Sequence, residues 1–415
     1  MRQALRAAWG NEKMGDFDGL AEGIIGAPQW EGEPLAAPRQ VACRVAQRSK
    51  ESESMQVTRA LTVGKWAYDH LGRPGFTAKV IAAGSRAIYL EGRAGEILWL
   101  SPPGSVLHRR CVVVPLTSGS WKEGDVCFSD GDTLCGGRSD GVCWSGADVW
   151  EAPPPGGEAL PPATPSVTPE ESAAALAGGL SALSLRYPPR GLAELVFGVA
   201  PGGQRLGRAG GQMGGWLDLS SDRVGEVVRA LRARDCTGLL ASGRTLLGFG
   251  EGLTPSGDDF LGGVLFGLRQ QESADFDETW IDWDVVRDWV ADVVPLTNRI
   301  SHAILSDLAE GYGPEPLHDL ARETLRGGSR EVVARHAERV IRIGSTSGWD
   351  LLAGFSAALL GGVALARCLE CPVSESCRQA TTASHFGDLG ALCVMRAIGT
   401  SALPFTASAQ GSPGS

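Results

Sequence analysis

Thr254-Pro255-Ser256-Gly257-Asp258-Asp259-Phe260-Leu261-Gly262-Gly263 is echoed ninety-one positions later by Ser345-Thr346-Ser347-Gly348-Trp349-Asp350-Leu351-Leu352-Ala353-Gly354. Both stretches read hydroxyl-x-Ser-Gly-x-Asp-x-Leu-x-Gly, and both open a strongly apolar segment. Each therefore predicts a helix N-terminus, where unpaired N–H groups favour anions. Small residues follow at i,i+4: Gly263 and Gly267 in one copy, Gly354, Ala358 and Gly362 in the other. Rows of that kind let two helices approach closely. The expectation is a pseudo-two-fold helix pair whose N-termini lie side by side, within about two helix diameters (~20 Å).

Capping alone gives one reading of the phrase. Ser256 with Asp259, and Ser347 with Asp350, have the spacing of short capping boxes. Yet a cap needs one hydroxyl, and each copy holds more: Thr254 and Ser256, then Ser345, Thr346 and Ser347. Asp258 has no capping duty. Upstream, Gly248-Phe249-Gly250-Glu251-Gly252-Leu253 places glycines at alternate positions, which permits positive φ and close approach of backbone to a ligand. These excesses mark a ligand site. Asp258 and Asp259 are its candidate catalytic groups. Gly250, Gly252, Thr254, Ser256, Gly257, Ser345, Ser347, Gly348 and Asp350 are its candidate binding groups. Arg299, in Thr297-Asn298-Arg299-Ile300-Ser301, offers a fork for a carboxylate or phosphate. Arg244 and Arg342 are weaker candidates, and His302 reads as structural or exposed.

Around the phrases the chain changes texture. Short β-rich runs at 77–81, 87–90, 96–100, 111–116 and 125–128 are separated by Gly, Pro, Ser and Asp turns. They predict a small antiparallel sheet or barrel over residues 56–150. Residues 151–168 are rich in Pro and Gly and read as a linker. Thr168-Pro169 opens helical texture that continues to about residue 370, with Ser220-Ser221-Asp222 as a cap and Pro295 as a break. The expected class is α+β, a β-rich domain followed by a mainly helical one with an internal pseudo-repeat. Residues 1–55 read as an N-terminal extension and a candidate for disorder, and residues 371–415 as a flexible tail.

Composition excludes some partners. With 38 Lys and Arg against 48 Asp and Glu, the net charge is -10, which disfavours nucleic acid or an anionic membrane. The longest apolar run, 351–366, falls short of the ~20 residues of a membrane span. No segment has the form of a signal peptide, so a cytoplasmic location is expected. Ten cysteines spread over 415 residues fit a reducing compartment. Cys368 and Cys371 have C-x2-C spacing and His385 follows, but the set reads as ordinary thiols rather than a zinc site.

The stretch from Leu247 through Gly263 closely resembles the signature of the AllH family, which includes a subunit of oxamate carbamoyltransferase from anaerobic allantoin breakdown. Thr297-Asn298-Arg299-Ile300-Ser301 and Ile343-Gly344-Ser345-Thr346-Ser347-Gly348 also look like family segments. The resemblance extends over roughly residues 60–370. It implies carbamoyl transfer between carbamoyl phosphate and oxamate, giving oxalurate and phosphate, with partner subunits. On that implication the helix N-termini with Thr254, Ser256, Ser345 and Ser347 serve the anions, and Asp258 or Asp259 serves as base. No cofactor is demanded. A cation, Arg299 or Mg2+, would have to separate a carboxylate from a phosphate. Two other readings stay open: a non-catalytic binding or assembly subunit, and an enzyme acting on a different small carboxylate.

Overall fold

Two residues, Ala60 and Leu61, separate strand β1 (Gln56–Arg59) from β2 (Thr62–Gly64), yet the two strands stand near opposite ends of one ten-stranded sheet. The sheet must therefore curl until its ends meet. The computed structural model describes residues 56–73, 75–115, 121–136, 140–154, 167–184, 186–197, 215–273 and 280–360. It divides into two compact units, Met1–Glu151 with Asp292–Ile300, and Ala152–Ala291 with Ser301–Ser415. The extension 1–55, most of the linker, the tail and the cysteine pair Cys368/Cys371 with His385 lie outside the described residues.

In the first unit the remaining strands are β3 (Thr77–Ala83), β4 (Ile88–Gly92), β5 (Ile97–Ser101), β6 (Cys111–Val113), β7 (Val126–Ser129), β8 (Thr133–Gly136), β9 (Asp140–Cys143) and β10 (Asp148–Trp150). Their order is β1-β9-β8-β7-β3-β4-β5-β6-β2-β10. Most neighbours are antiparallel, as expected from hairpin spacing. The pairs β1–β9, β2–β10 and β5–β6 are parallel, which departs from the expected antiparallel sheet. Two of these arise where the kinked β1–β2 segment closes the sheet: Ala60 N–H donates to the Cys143 carbonyl of β9 at 2.8 Å, and Asp148 N–H of β10 donates to the Leu61 carbonyl at 3.0 Å. The core gathers Val63, Leu71, Val80, Leu90, Leu98, Leu100, Val112 and Leu134. A short helix, α1 (Lys65–Leu71), buries Ala67 and Leu71 against it. Gly64 precedes that helix because a Cβ there would stand 2.3 Å from the His108 carbonyl oxygen.

Cys127, Cys135 and Cys143 recur every eight residues because they sit on the successive strands β7, β8 and β9. All three are free thiols. Burial pushes the Cys127 thiol up to about 12, which makes it a packing group rather than a nucleophile.

The second unit is helical. Helix α2 (Pro169–Ser184) opens on a true capping box: Thr168 N–H donates to Glu171 Oε2 at 2.9 Å, and Glu171 N–H to Thr168 Oγ1 at 3.2 Å. Helix α3 (Ala193–Phe197) follows, then α4 (Gly215–Ala233). The expected cap at Ser220-Ser221-Asp222 is corrected, since these residues lie inside α4. Ser220 is buried on the same stripe as Val224, Val227 and Leu231, so the apolar face starts earlier than the hydroxyls suggested. The remaining helices are α5 (Cys236–Arg244), α6 (Ser256–Ser273), α7 (Trp283–Asp292), α8 (Arg299–Ala309), α9 (Glu315–Leu325), α10 (Arg330–Ile341) and α11 (Ser347–Leu359). Pro295 does break the helical run: α7 ends at Asp292, and Val294–Leu296 is a 3-10 turn.

Helices α6 and α11 are the two predicted apolar segments, and they form the centre of this unit. Phe260, Phe266 and Phe355 are fully buried. Each stabilises by roughly 1.5–3 kcal/mol. The glycine rows mesh reciprocally. A Cβ on Gly263 would lie 2.2 Å from the Leu351 carbonyl oxygen, and one on Gly354 would lie 1.9 Å from that of Phe260. Gly263 corresponds to Gly354 in the repeat, and Phe260 to Leu351. Gly267 meets Ala358, its own repeat counterpart, so closely that a Cβ added at Gly267 would lie 2.8 Å from that of Ala358. A pseudo-two-fold axis therefore passes beside Gly267 and Ala358.

Candidate functional site

Reciprocal packing brings the two N-termini together. Thr254 Oγ1 and Ser347 Oγ, one from each phrase, are 2.8 Å apart. The phrases do not act as capping boxes. Helix α6 begins at Ser256 and α11 at Ser347, so both serines are first helical residues. The Thr346 position that precedes α11 makes no side-chain cap bond. Each serine instead faces the aspartate of the other copy: Ser347 engages Asp259, and Ser256 engages Asp350.

The helix N–H groups are largely committed within the protein. Gly257 N–H donates to the Phe249 carbonyl at 2.8 Å, and Gly348 N–H to that of Ile343 at 2.9 Å. Both glycines are required by contact: a Cβ would stand 1.9 Å from the Leu246 carbonyl oxygen at Gly257, and 2.0 Å from that of Val340 at Gly348. Gly250 and Gly252 adopt φ of 120° and 98°, in the left-handed region that favours glycine. The loop segment 251–253 is exposed, Thr254 and Ser347 are half-buried, and Ser345 is exposed.

Three carboxylates converge behind these hydroxyls. Asp258 is 2% exposed and spends both oxygens internally: Gly248 N–H donates to Oδ1 and Ser301 Oγ–H to Oδ2, at 2.7 Å each. It ties the glycine loop to α8. Ser301→Ala is expected to lower stability by about 1–3 kcal/mol, because it strips a donor from a buried charge, and urea unfolding measures that loss.

Asp259 is 3% exposed, and its Oδ2 is buried with no partner. Burial raises its pKa well above the ordinary carboxylate value, and the charges of Asp350 and Asp258 add to this. The hydroxyls of Ser347 and Thr254 oppose the shift. Asp350 is fully buried, and burial pushes it up to about 7. Ser256 Oγ–H, Leu192 N–H, Thr346 Oγ–H and Ala193 N–H oppose that rise. The Leu192 N–H to Oδ1 distance is 2.6 Å, and the left-handed Gly191 (φ 63°) lets the chain turn against the carboxyl. Asp350 Oδ2, like Asp259 Oδ2, has no partner. Like charges this deeply buried cannot all ionise together, so the cluster retains protons near neutrality.

The site thus joins Thr254, Ser256, Gly257, Asp258, Asp259, Ser347, Gly348 and Asp350. Arg299 belongs to the first unit, where its Nη1 donates to both oxygens of Glu91 at 2.5 Å. Arg342 pairs with Glu338, and His302 is engaged with the Val290 carbonyl at 2.9 Å, as a structural histidine should be. The donor set does not fit Mg2+: Asp258 is occupied, and among the described residues no three His, Cys, Asp or Glu are gathered to hold a metal ion. Trp349, the repeat counterpart of Asp258, is buried beside Phe197 at 6.4 Å between ring centroids. Sequence reasoning missed the segment 191–193. Only Gly191 hinted at it, and nothing in the sequence pointed 158 residues ahead to Asp350.

Residues 246–359 match the family model described as oxamate carbamoyltransferase subunit AllH. No curated protein and no solved structure matches the chain. Among the described residues no helix is long and apolar enough to cross a membrane.

Proposed function

We propose, because residues 246–359 match the AllH family model, that this chain is a subunit of a carbamoyltransferase-type enzyme and receives a small anionic substrate at its repeated phrase. In this reading the substrates are carbamoyl phosphate and oxamate, and partner subunits complete the enzyme. The amide nitrogen of oxamate attacks the carbamoyl carbon. The bond from that carbon to the phosphate oxygen breaks, phosphate leaves with the electron pair, and the nitrogen releases a proton. Asp259 takes the proton-handling role, because Asp258 is already spent on Gly248 and Ser301. The observation that carries the reading is the unpartnered Asp259 Oδ2, buried behind the half-buried Thr254 and Ser347 hydroxyls at the end of a glycine loop. A buried carboxyl with raised proton affinity is the kind of group that exchanges protons with a bound substrate.

Phosphate release from carbamoyl phosphate plus oxamate tests this, with the chain alone and with its co-purified partner subunits. The expected result is oxamate-dependent release that falls at least 100-fold in Asp259→Leu. Undiminished release in that variant contradicts the role of Asp259.

A second reading, an assembly subunit whose partners supply the catalytic groups, is favoured by one observation: Gly257 and Gly348 N–H already donate to protein carbonyls. Release by the partners without this chain would decide for it.

A further inference from the structure

We infer that Arg223 is the anion-binding side chain of this site: its Nε–Nη2 edge takes a carboxylate or phosphate group of the ligand at the glycine loop. The inference rests on reading the repeated phrase as a small-anion site, and it names the cation that such a site needs. Arg223 lies on α4 and is half-buried. Its Nη1 donates to the Thr245 carbonyl at 2.7 Å, and its guanidinium carbon stands 4.2 Å from the centre of the Phe249 ring. Phe249 is itself held on both sides. Its N–H donates to the Leu246 carbonyl at 3.0 Å, and its carbonyl accepts Gly257 N–H at 2.8 Å. The neighbouring Gly248 N–H donates to Asp258 at 2.7 Å. The guanidinium is therefore fixed on the loop that leads into the first phrase, one residue from the contact that anchors Asp258.

Neither copy of the phrase carries a positive side chain. The N–H groups of Gly257 and Gly348 donate to protein carbonyls, and Asp258, Asp259 and Asp350 lie buried behind the hydroxyls. An anion entering there meets acids and neutral groups, so its charge needs a cation from outside the phrase. Arg299 and Arg342 do not supply it, because Glu91 and Glu338 hold them. Arg223 is different. Among the described residues it makes no ion pair, and Glu226, one turn further along α4, lies against Arg229 at 3.9 Å. A carbonyl and an aromatic face orient a guanidinium without neutralising it. The group carries its N–H donors in one plane, and with Nη1 turned to Thr245 the Nε and Nη2 donors make no hydrogen bond among the described residues. They form the side-on edge that matches a pair of oxygens on a carboxylate or phosphate. Stacking on Phe249 locks the plane of that edge in advance, which lowers the ordering cost of binding.

Calorimetric titration of the intact chain with inorganic phosphate and with oxamate tests this, and the two arms tell a phosphate from a carboxylate. The wild-type chain is expected to bind at least one of them. Arg223→Met keeps the apolar stem on Phe249 and should weaken that binding by roughly ten-fold or more. Arg223→Lys keeps the charge without the fork and should fall between the two. Thermal melts without ligand check that both variants fold. If Arg223→Met does not, Arg223→Lys decides, and wild-type affinity in that variant overturns the inference. Undiminished affinity in a folded Arg223→Met, or binding of neither anion by the wild type, also overturns it. Arg223-dependent anion binding without oxamate-dependent phosphate release would sink the transferase reading and leave this contact standing. Release that is undiminished in Arg223→Met would do the reverse.

Discussion

Gly354→Ala is expected to lower the midpoint of thermal unfolding by roughly 6–12 °C, corresponding to about 3 kcal/mol or more for a unit of this size. The added methyl would stand 1.9 Å from the Phe260 carbonyl oxygen, well inside van der Waals contact. That atom is helix backbone and cannot rotate aside, so α6 and α11 must separate. Separation exposes Phe260, Phe266 and Phe355, which are fully buried in the native packing. Gly225→Ala is the control: it lies inside α4, where a Cβ meets nothing within 4 Å. There the loss of backbone freedom in the unfolded chain should stabilise by about 0.5–1 kcal/mol. Equal effects of the two substitutions, read by calorimetry, would remove the case for a meshed helix pair. The same crossing holds Ser347 against Asp259, so Gly354→Ala should also weaken ligand binding.

The second large effect is on pH dependence. Between about pH 4 and pH 7 stability should fall as pH rises, and Asp350→Asn should flatten that slope. The folded protein raises the Asp350 pKa from 3.8 to about 7, through burial first. In that window the folded state binds more protons than the unfolded one, so each step up in pH favours unfolding. The contribution is present below the unfolded value and lost as pH climbs to the folded one. Its size is on the order of 3–4 kcal/mol. Asparagine keeps the acceptor for Leu192 N–H and never ionises, so the variant should be the more stable protein at pH 7. Asp350→Ala should be less stable than Asp350→Asn at every pH, because Leu192 N–H then loses its acceptor. Urea unfolding across this range separates the two outcomes, and a wild-type stability that rises from pH 4 to 7 would contradict the account.

Much of this arrangement was legible in the sequence. The repeated phrase and its glycine rows foretold two helices in close contact with adjoining N-termini, because a helical i,i+4 row of small residues has few other uses. The β-rich texture ahead of them foretold the sheet, strand by strand from Thr77 to Phe128. Three features were not legible, for physical reasons. Parallel pairs in the sheet come from its closure, which depends on a kink at Ala60 and Leu61 that no turn residue announces. The exchange of Ser–Asp partners between the copies could not be told from local capping boxes, since both use the same residues at the same spacing. The acid that Arg299 meets in the folded chain, Glu91, was not legible either, because arginine chemistry alone does not name its partner.

The central claim is that the two copies of the phrase make one buried acid pair rather than two separate caps. Carbon-13 NMR of aspartate carboxyls, assigned with Asp259→Asn and Asp350→Asn, tests it directly. An Asp350 midpoint near 7 and an Asp259 midpoint well above the ordinary range are expected, with the Asp259 midpoint falling when Asp350 is neutralised. Two independent titrations near pH 4 would contradict it.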